Sequence, residues 1–323
     1  MVPENSLGQK SVIITGGNAG LGYQCAHHIA SSDKTWHVIM ACRNPEKANE
    51  AVNRLIRETK NSNISTMELD LASLSSIRNF ATAFSNAGLL PLHAIVCNAG
   101  LQIINGTTYT SDGFEMTFGV NHLGHFLLNN LLLKHISEPG RIVFVSSGTH
   151  DPEQTTGMPA PIYVNAKTLA YPDTDSSGES KAHIGRRRYS TSKLCNIYCT
   201  YELANRIKKE TGKNITVNAF DPGLMPGTGL ARQVSPIAFF VWKYVMPVMT
   251  LLPINANTPK KSGKALAFLV TNPAFSHVTG RYFEGTREIK SSKLSYDKEN
   301  AKDLWNTSID LAGLKKEETI LSI

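Results

Sequence analysis

Tyr189 and Lys193 stand four residues apart in Tyr189-Ser190-Thr191-Ser192-Lys193, inside sequence of helical pattern. Residues four apart share one helix face. An ammonium about 4–5 Å from a phenol, at an effective dielectric of about 20, is worth on the order of 3–4 kcal/mol, or roughly two to three pKa units. Such a shift would bring a phenol towards working pH, where it can give or take a proton. The same spacing arises by chance in many helices, so its weight depends on what stands with it. Ser147 follows an apolar run and offers a hydroxyl that could bind a substrate oxygen. Asn121, in Val120-Asn121-His122-Leu123-Gly124, is an amide inside an otherwise apolar helical stretch. A buried amide needs partners. It either braces a distorted turn or holds a proton-relay water.

A second set of residues could hold an anionic cofactor. Thr15-Gly16-Gly17-Asn18-Ala19-Gly20-Leu21-Gly22 follows the apolar run Ser11 to Ile14 and precedes a helical pattern from Tyr23. A strand, a glycine-rich turn and a helix make a phosphate cradle, because glycines admit close backbone approach and the helix N-terminus presents N–H groups. A merely flexible turn is the alternative. Arg43 and Asn44 close the next apolar run, where dinucleotide folds meet the adenosine ribose. An acid there accepts from a 2′-hydroxyl, whereas arginine suits a 2′-phosphate, which favours NADP over NAD. Asp70-Leu71 and Asn98-Ala99-Gly100 end two further strand-like runs. Carboxyl ends of parallel strands are where an open α/β sheet binds its ligand.

The elements that must position these residues alternate. Strand patterns cover Trp36 to Cys42, Ile64 to Leu69, Leu92 to Cys97, Arg141 to Val145 and Asn214 to Phe220. Helical patterns cover Pro45 to Lys60, Ala72 to Ala87, Gly113 to Ile136 and Tyr189 to Thr211. Alternation of this kind predicts a doubly wound α/β fold with a parallel sheet and helices on both faces. Residues 149–187 carry Pro, Gly and Ser without a clean period, and read as an insertion or a flexible lid. Later, a helix fits Ser262 to Val270 and a short strand Gly280 to Phe283.

Taken together, these residues resemble the short-chain dehydrogenase/reductase family over roughly residues 1–285. Thr15-Gly16-x-x-x-Gly20-x-Gly22, Asn98-Ala99-Gly100, Asn121, Ser147, Tyr189-x-x-x-Lys193 and Pro222-Gly223 all fall in family order. The resemblance implies a single Rossmann-type domain with a seven-stranded parallel sheet. It implies Tyr189 as proton donor or acceptor, and Lys193 as the group that lowers its pKa and holds the nicotinamide ribose. It further implies that Ser147 polarises the carbonyl, that Asn121 supports the relay, and that backbone near Leu224 holds the nicotinamide amide. A family threonine contact falls at Thr228 instead of the usual place, which here is Gly227. Within the family, Leu69 to Leu74, Asp112 to Met116, Asn121 to Leu128, Thr149 to Pro152 and Ser192 to Asn196 look like protochlorophyllide reductases. Retinol dehydrogenases share part of this. The protochlorophyllide enzymes read Pro-Gly-Cys where this chain has Pro222-Gly223-Leu224.

Composition agrees with a globular enzyme. The chain has 323 residues, 41% apolar and 18% charged, enough for one large domain, and a net charge of +7 that suits an anionic cofactor. Aromatic and basic residues are not interleaved as nucleic-acid binding would require. The five cysteines are scattered and read as packed thiols in a reducing, cytoplasmic compartment, without a metal site. Met1 to Lys10 lacks an apolar signal core. Residues 236–253 are very apolar but contain Lys243 and Pro247, so they read as a substrate lid, or as a peripheral membrane contact, ahead of a span. The expected activity is NADPH-dependent hydride transfer at a carbonyl or alcohol carbon of a bulky apolar substrate, by a monomer or homodimer. Light-dependent protochlorophyllide reduction and a non-catalytic NADP sensor are the rival readings.

Overall fold

The computed structural model of the chain describes residues 10–89, 91–173, 178–225 and 255–323. The strands are β1 (Lys10–Thr15), β2 (Trp36–Cys42), β3 (Ile64–Glu68), β4 (Leu92–Cys97), β5 (Ile136–Val145), β6 (Ile215–Asp221), β7 (Arg281–Glu284) and β8 (Arg287–Ile289). They form one sheet in the order β3-β2-β1-β4-β5-β6-β7-β8. All pairings are parallel except β7 with β8. The eighth strand corrects the seven-stranded expectation. Gly285, at φ +60°, reverses the chain after β7, and Arg287–Ile289 pairs back along Tyr282–Glu284. Three residues with two charges give too short and polar a run to read as a strand.

Alternate residues of each strand feed opposite layers, as a period of two demands. Ile13, Ile39, Ile95, Ile142 and Phe144 pack with α3 (Leu74–Asn86), α5 (Gly124–Leu132) and α7 (Lys181–Glu210). Val12, Ile14, Val38, Met40, Val96 and Val143 pack on the other face with α1 (Gly20–Ser32), α2 (Pro45–Thr59) and α8 (Pro259–Thr271). Local signals fix the helix starts. Asn44 caps α2 with Pro45 following, Ser73 caps α3, and Thr258 caps α8 ahead of Pro259. Buried Arg141 donates from Nη1 to the carbonyls of Leu269 and Val270, in the last turn of α8. A cation at that pole complements the helix dipole.

Two helical readings need correction. The stretch read as one helix from Gly113 to Ile136 is a succession: α4 (Met116–Phe118), a π turn over Gly119–Leu123, α5, and a 3₁₀ turn at Leu133–His135. The helix expected from Tyr189 starts eight residues earlier, at Lys181, where Ser180 accepts from the His183 N–H. Gly185 and three arginines disguised this start. Gly185 is needed because a Cβ there would meet the Ile103 carbonyl. Arg187 pairs with Glu179, and Arg188 donates to Thr107 Oγ1 at 2.8 Å. The 149–187 segment thus holds a short helix, α6 (Ala166–Ala170), and the first turns of α7. Among the described residues no helix is long and apolar enough to cross a membrane. The 236–253 stretch and Thr228 lie outside the described residues.

Candidate active site

The ends of β1, β4, β5 and β6 meet at one edge of the sheet. Thr15 closes β1, and its hydroxyl accepts from the Asn98 and Ala99 N–H groups, both at 2.9 Å. Asn98 Nδ2 donates back to Thr15 O at 2.8 Å and to Gly16 O at 3.4 Å. Asn98 therefore clamps the glycine turn to the end of β4 through its amide. Gly16 and Gly20 have φ of +63° and +56°, the left-handed region that glycine enters freely. Ala19 precedes α1 in extended conformation with no side-chain cap, and no acid stands in the first turn. The first N–H groups of α1 are thus left for an anion. Asn18 and the exposed Ala19 and Gly20 line this turn, while Leu21 and Gly22 are buried beneath it. These observations fit a dinucleotide cofactor.

Other cofactor candidates divide. Arg43 is exposed just beyond β2. Asn44 Oδ1 is taken by the Lys47 N–H, so this residue serves as a helix cap. Asp70 Oδ1 accepts from the Ala72 N–H, which makes it a turn cap in this structure, and Leu71 is buried with its carbonyl packed against Gly124. Pro222 O accepts from Ser262 Oγ at 2.6 Å, Gly223 adopts φ +75°, and Leu224 bridges to Asn255 and Asn257 through its backbone.

The proton-handling candidates converge from three elements. Asn121, in the π turn, binds both backbone groups of Leu101: Oδ1 accepts from its N–H at 2.8 Å and Nδ2 donates to its carbonyl at 2.9 Å. Nδ2 also donates to Ser192 Oγ at 2.9 Å, and Ser192 donates to Tyr189 O at 2.7 Å. Lys193 Nζ, buried, donates to Val145 O at 3.0 Å at the end of β5. A Cβ built on Gly100 would lie 3.3 Å from Asn121 Oδ1 and 3.6 Å from Lys193 Nζ, so both side chains meet beside that glycine. Ser147, half-buried, follows β5 and caps a short 3₁₀ turn through Thr149. Its neighbour Ser146 donates to the carbonyl of Lys193 at 2.8 Å.

The electrostatics depart from expectation. The ammonium of Lys193 lies 5.3 Å from the centroid of the Tyr189 ring. Burial, and then Asp221, push the Tyr189 phenol up, while burial pulls the Lys193 amine down to about 8 despite Asp221. Desolvation of both charged forms outweighs the attraction expected from spacing alone.

Sequence reasoning passed over Thr15, His125, Ser192 and Asp221 as site residues. His125 is buried, with Nδ1 3.2 Å from Asn121 O and Nε2 2.9 Å from Thr15 Oγ1. A carbonyl only accepts, so Nδ1 carries the proton and Nε2 accepts from Thr15. Burial pulls this imidazole down to about 4, which keeps it neutral. It ties the π turn to the glycine turn. His122 likewise packs, with Nε2 2.9 Å from Ser308 Oγ. All five cysteines are free and buried.

A doubly wound sheet, an uncapped glycine turn and a Tyr–Lys–Asn cluster whose lysine and asparagine are buried define a dinucleotide-dependent oxidoreductase scaffold. Residues 10–167 match the model of the short chain dehydrogenase family. Polyprenol dehydrogenase of Danio rerio is 35% identical over 312 residues, covering 95% of this chain and 87% of that protein. Chloroplastic protochlorophyllide reductase A of Triticum aestivum is 33% identical over 329 residues, covering 96% and 82%. The Pseudomonas aeruginosa RhlG structure, an active-site complex with NADP, superposes with a TM-score of 0.62 at 20% identity, covering 88% of this chain and 97% of that one. This chain belongs to the short-chain dehydrogenase/reductase family.

Proposed function

We propose that the protein is an NADPH-dependent oxidoreductase acting at a carbonyl or alcohol carbon of a bulky apolar substrate. The observation that carries this is the meeting of Asn121 and Lys193 beside Gly100, one helical turn from Tyr189 and at the same sheet edge as the glycine turn. The nicotinamide supplies the hydride chemistry when bound. In this reading Tyr189 gives or takes the proton at the substrate oxygen, and Ser147 donates a hydrogen bond to that oxygen. Lys193 holds the nicotinamide ribose and Asn121 braces the turn behind it. Gly16, Asn18, Ala19, Gly20, Leu21 and Gly22 hold the pyrophosphate, and Pro222, Gly223 and Leu224 the nicotinamide side. The sensor reading is disfavoured because a binding protein has no use for the whole Asn121–Ser147–Tyr189–Lys193 set. Following NADPH absorbance across aldehydes, ketones, retinoids, prenols and pigments tests the activity. Absence of turnover across a panel with intact NADPH binding would favour the sensor reading.

Arg43 directs the choice of cofactor. It stands exposed where a ribose-binding acid would favour NAD. Arg43→Asp is expected to weaken NADPH and improve NADH in isothermal titration. Unmodified protein binding NADH as tightly as NADPH would sink this assignment.

The substrate class draws on the relatives, which are named for a prenol and for a porphyrin pigment. Both are large and apolar. Photoreduction of protochlorophyllide is expected to be inefficient here, because Leu224 offers neither thiol nor hydrogen bond where the pigment enzymes carry Cys. Misplacement of about 1 Å can cost a hundredfold. Rapid light-dependent chlorophyllide absorbance from protein, NADPH and pigment would overturn this expectation and favour the pigment reading.

A further inference from the structure

Asp221 ends β6 as a buried carboxylate that the roles above leave unused. Its oxygens gather donors from several segments. Oδ1 accepts from the Gly223 N–H at 2.8 Å, and Oδ2 from Asn255 Nδ2 at 3.3 Å. The Gly148 N–H also bonds the carboxylate, and a Cβ on that glycine would lie 3.3 Å from Oδ2. The Tyr282 hydroxyl faces it from β7, buried and without a full hydrogen bond among the described residues. Gly148 follows Ser147, and Gly223 precedes Leu224, so one side chain ties together the two turns that frame the reaction centre. The Lys193 ammonium, bonded to Val145 O one strand away, feels Asp221 as an opposing charge.

We propose that Asp221 is a positioning residue of this centre: it clamps the Ser147 turn to the Pro222–Leu224 turn and supplies the counter-charge of Lys193. The inference rests on the assignment of Lys193 and of NADPH made above. The groups facing the carboxylate are Lys193 and Tyr189 from α7, Tyr282 and Glu284 from β7, and His150 beyond them, whose ring lies 4.9 Å from that of Tyr282. Lys193 is the one cation in this set. Tyr282 is held protonated by its surroundings and Glu284 opposes ionisation of Asp221. Burial pushes the Asp221 carboxyl up to about 6, and the backbone N–H groups of Gly223 and Gly148 pull against that rise. The carboxylate is thus charged at neutral pH. A negative charge there favours the protonated forms of both Lys193 and Tyr189. Removing it lowers the proton affinity of each.

Two variants separate the clamp from the charge. Asp221→Asn keeps the shape and drops the charge; Asp221→Glu keeps the charge and displaces the oxygens by a methylene. Protein labelled with ¹³Cε-lysine would be titrated by NMR, with the Lys193 resonance assigned by its loss in Lys193→Ala. The Lys193 midpoint, about 8 in the unmodified protein, is expected to fall by about one pH unit in Asp221→Asn and to hold in Asp221→Glu. NADPH affinity, read by fluorescence, is expected to fall severalfold in Asp221→Glu. An unmoved midpoint in Asp221→Asn overturns the counter-charge, and unmoved NADPH affinity in Asp221→Glu overturns the clamp. Should Asp221→Asn fail to fold, the unmodified protein supplies the test: the Lys193 resonance is expected to show a second, smaller inflection at the Asp221 midpoint of about 6, and its absence overturns the counter-charge equally. Failure of the hydride-transfer reading would appear separately, as absence of turnover by the unmodified protein with NADPH binding intact.

Discussion

Tyr189→Phe is expected to lower turnover about a hundred- to ten-thousand-fold, the range that a positioned general acid or base contributes. The ring stays, so its packing over the Lys193 ammonium and the helix hydrogen bond from Ser192 to its carbonyl persist. NADPH affinity should therefore remain nearly intact. Lys193→Ala should damage both quantities, because the amine is buried at the ends of β4 and β5, where the ribose would lie. Fluorescence titration with NADPH separates the two variants. A Tyr189→Phe enzyme turning over at the normal rate would end the acid–base assignment.

The second large effect is expected from Gly22→Ala. A Cβ at Gly22 would lie 2.5 Å from Asn98 Nδ2 and 2.7 Å from the Gly16 carbonyl. Neither neighbour can yield cheaply. The carbonyl belongs to the backbone of the turn, and the amide is bonded to Thr15 O. Displacing Asn98 leaves buried polar groups without partners, at a cost of about 1–3 kcal/mol. A variant that relaxes the turn to relieve this clash must restore its shape to bind, and that cost appears as a roughly 5- to 150-fold loss of NADPH affinity. Should the variant bind NADPH normally by calorimetry, the glycine turn does not contact the cofactor as assigned.

Much of this was legible in the sequence because it was written in continuous signals. The apolar runs around Val12, Val38, Ile95 and Val143 placed buried parallel strands, and the glycine spacing placed the cradle. The candidates Asn121, Ser147, Tyr189 and Lys193 were named from their order along the chain, and the fold brings Asn121 and Lys193 together beside Gly100. What escaped depended on contacts between distant segments. The start of α7 was hidden because Gly185 looks like a helix breaker until the Ile103 carbonyl is seen against it. Asp221 falls one residue past the strand pattern of Asn214 to Phe220, and its bonds to Gly223 and Gly148 join segments far apart in sequence. The π turn at Gly119–Leu123 has no propensity signature; it arises where Asn121 is drawn to the backbone of Leu101. The balance of the Tyr189–Lys193 pair turned on desolvation, which spacing does not encode.

The early start of α7 has a consequence for how such an enzyme diversifies. Tyr189 sits eight residues past Lys181, about 12 Å along the axis from the helix start. Its orientation is set by a rod anchored in the core through Leu194, Cys195 and Tyr198. The stretch from Glu153 to Asp173 packs on this rod, through the Ile162 backbone on Thr191 Oγ1 and the Tyr163 ring on Tyr198, so a change there reaches the helix two residues from Tyr189. Changes in that stretch that keep those contacts leave the rod as it stands, whereas changes that break them act on Tyr189 through Thr191.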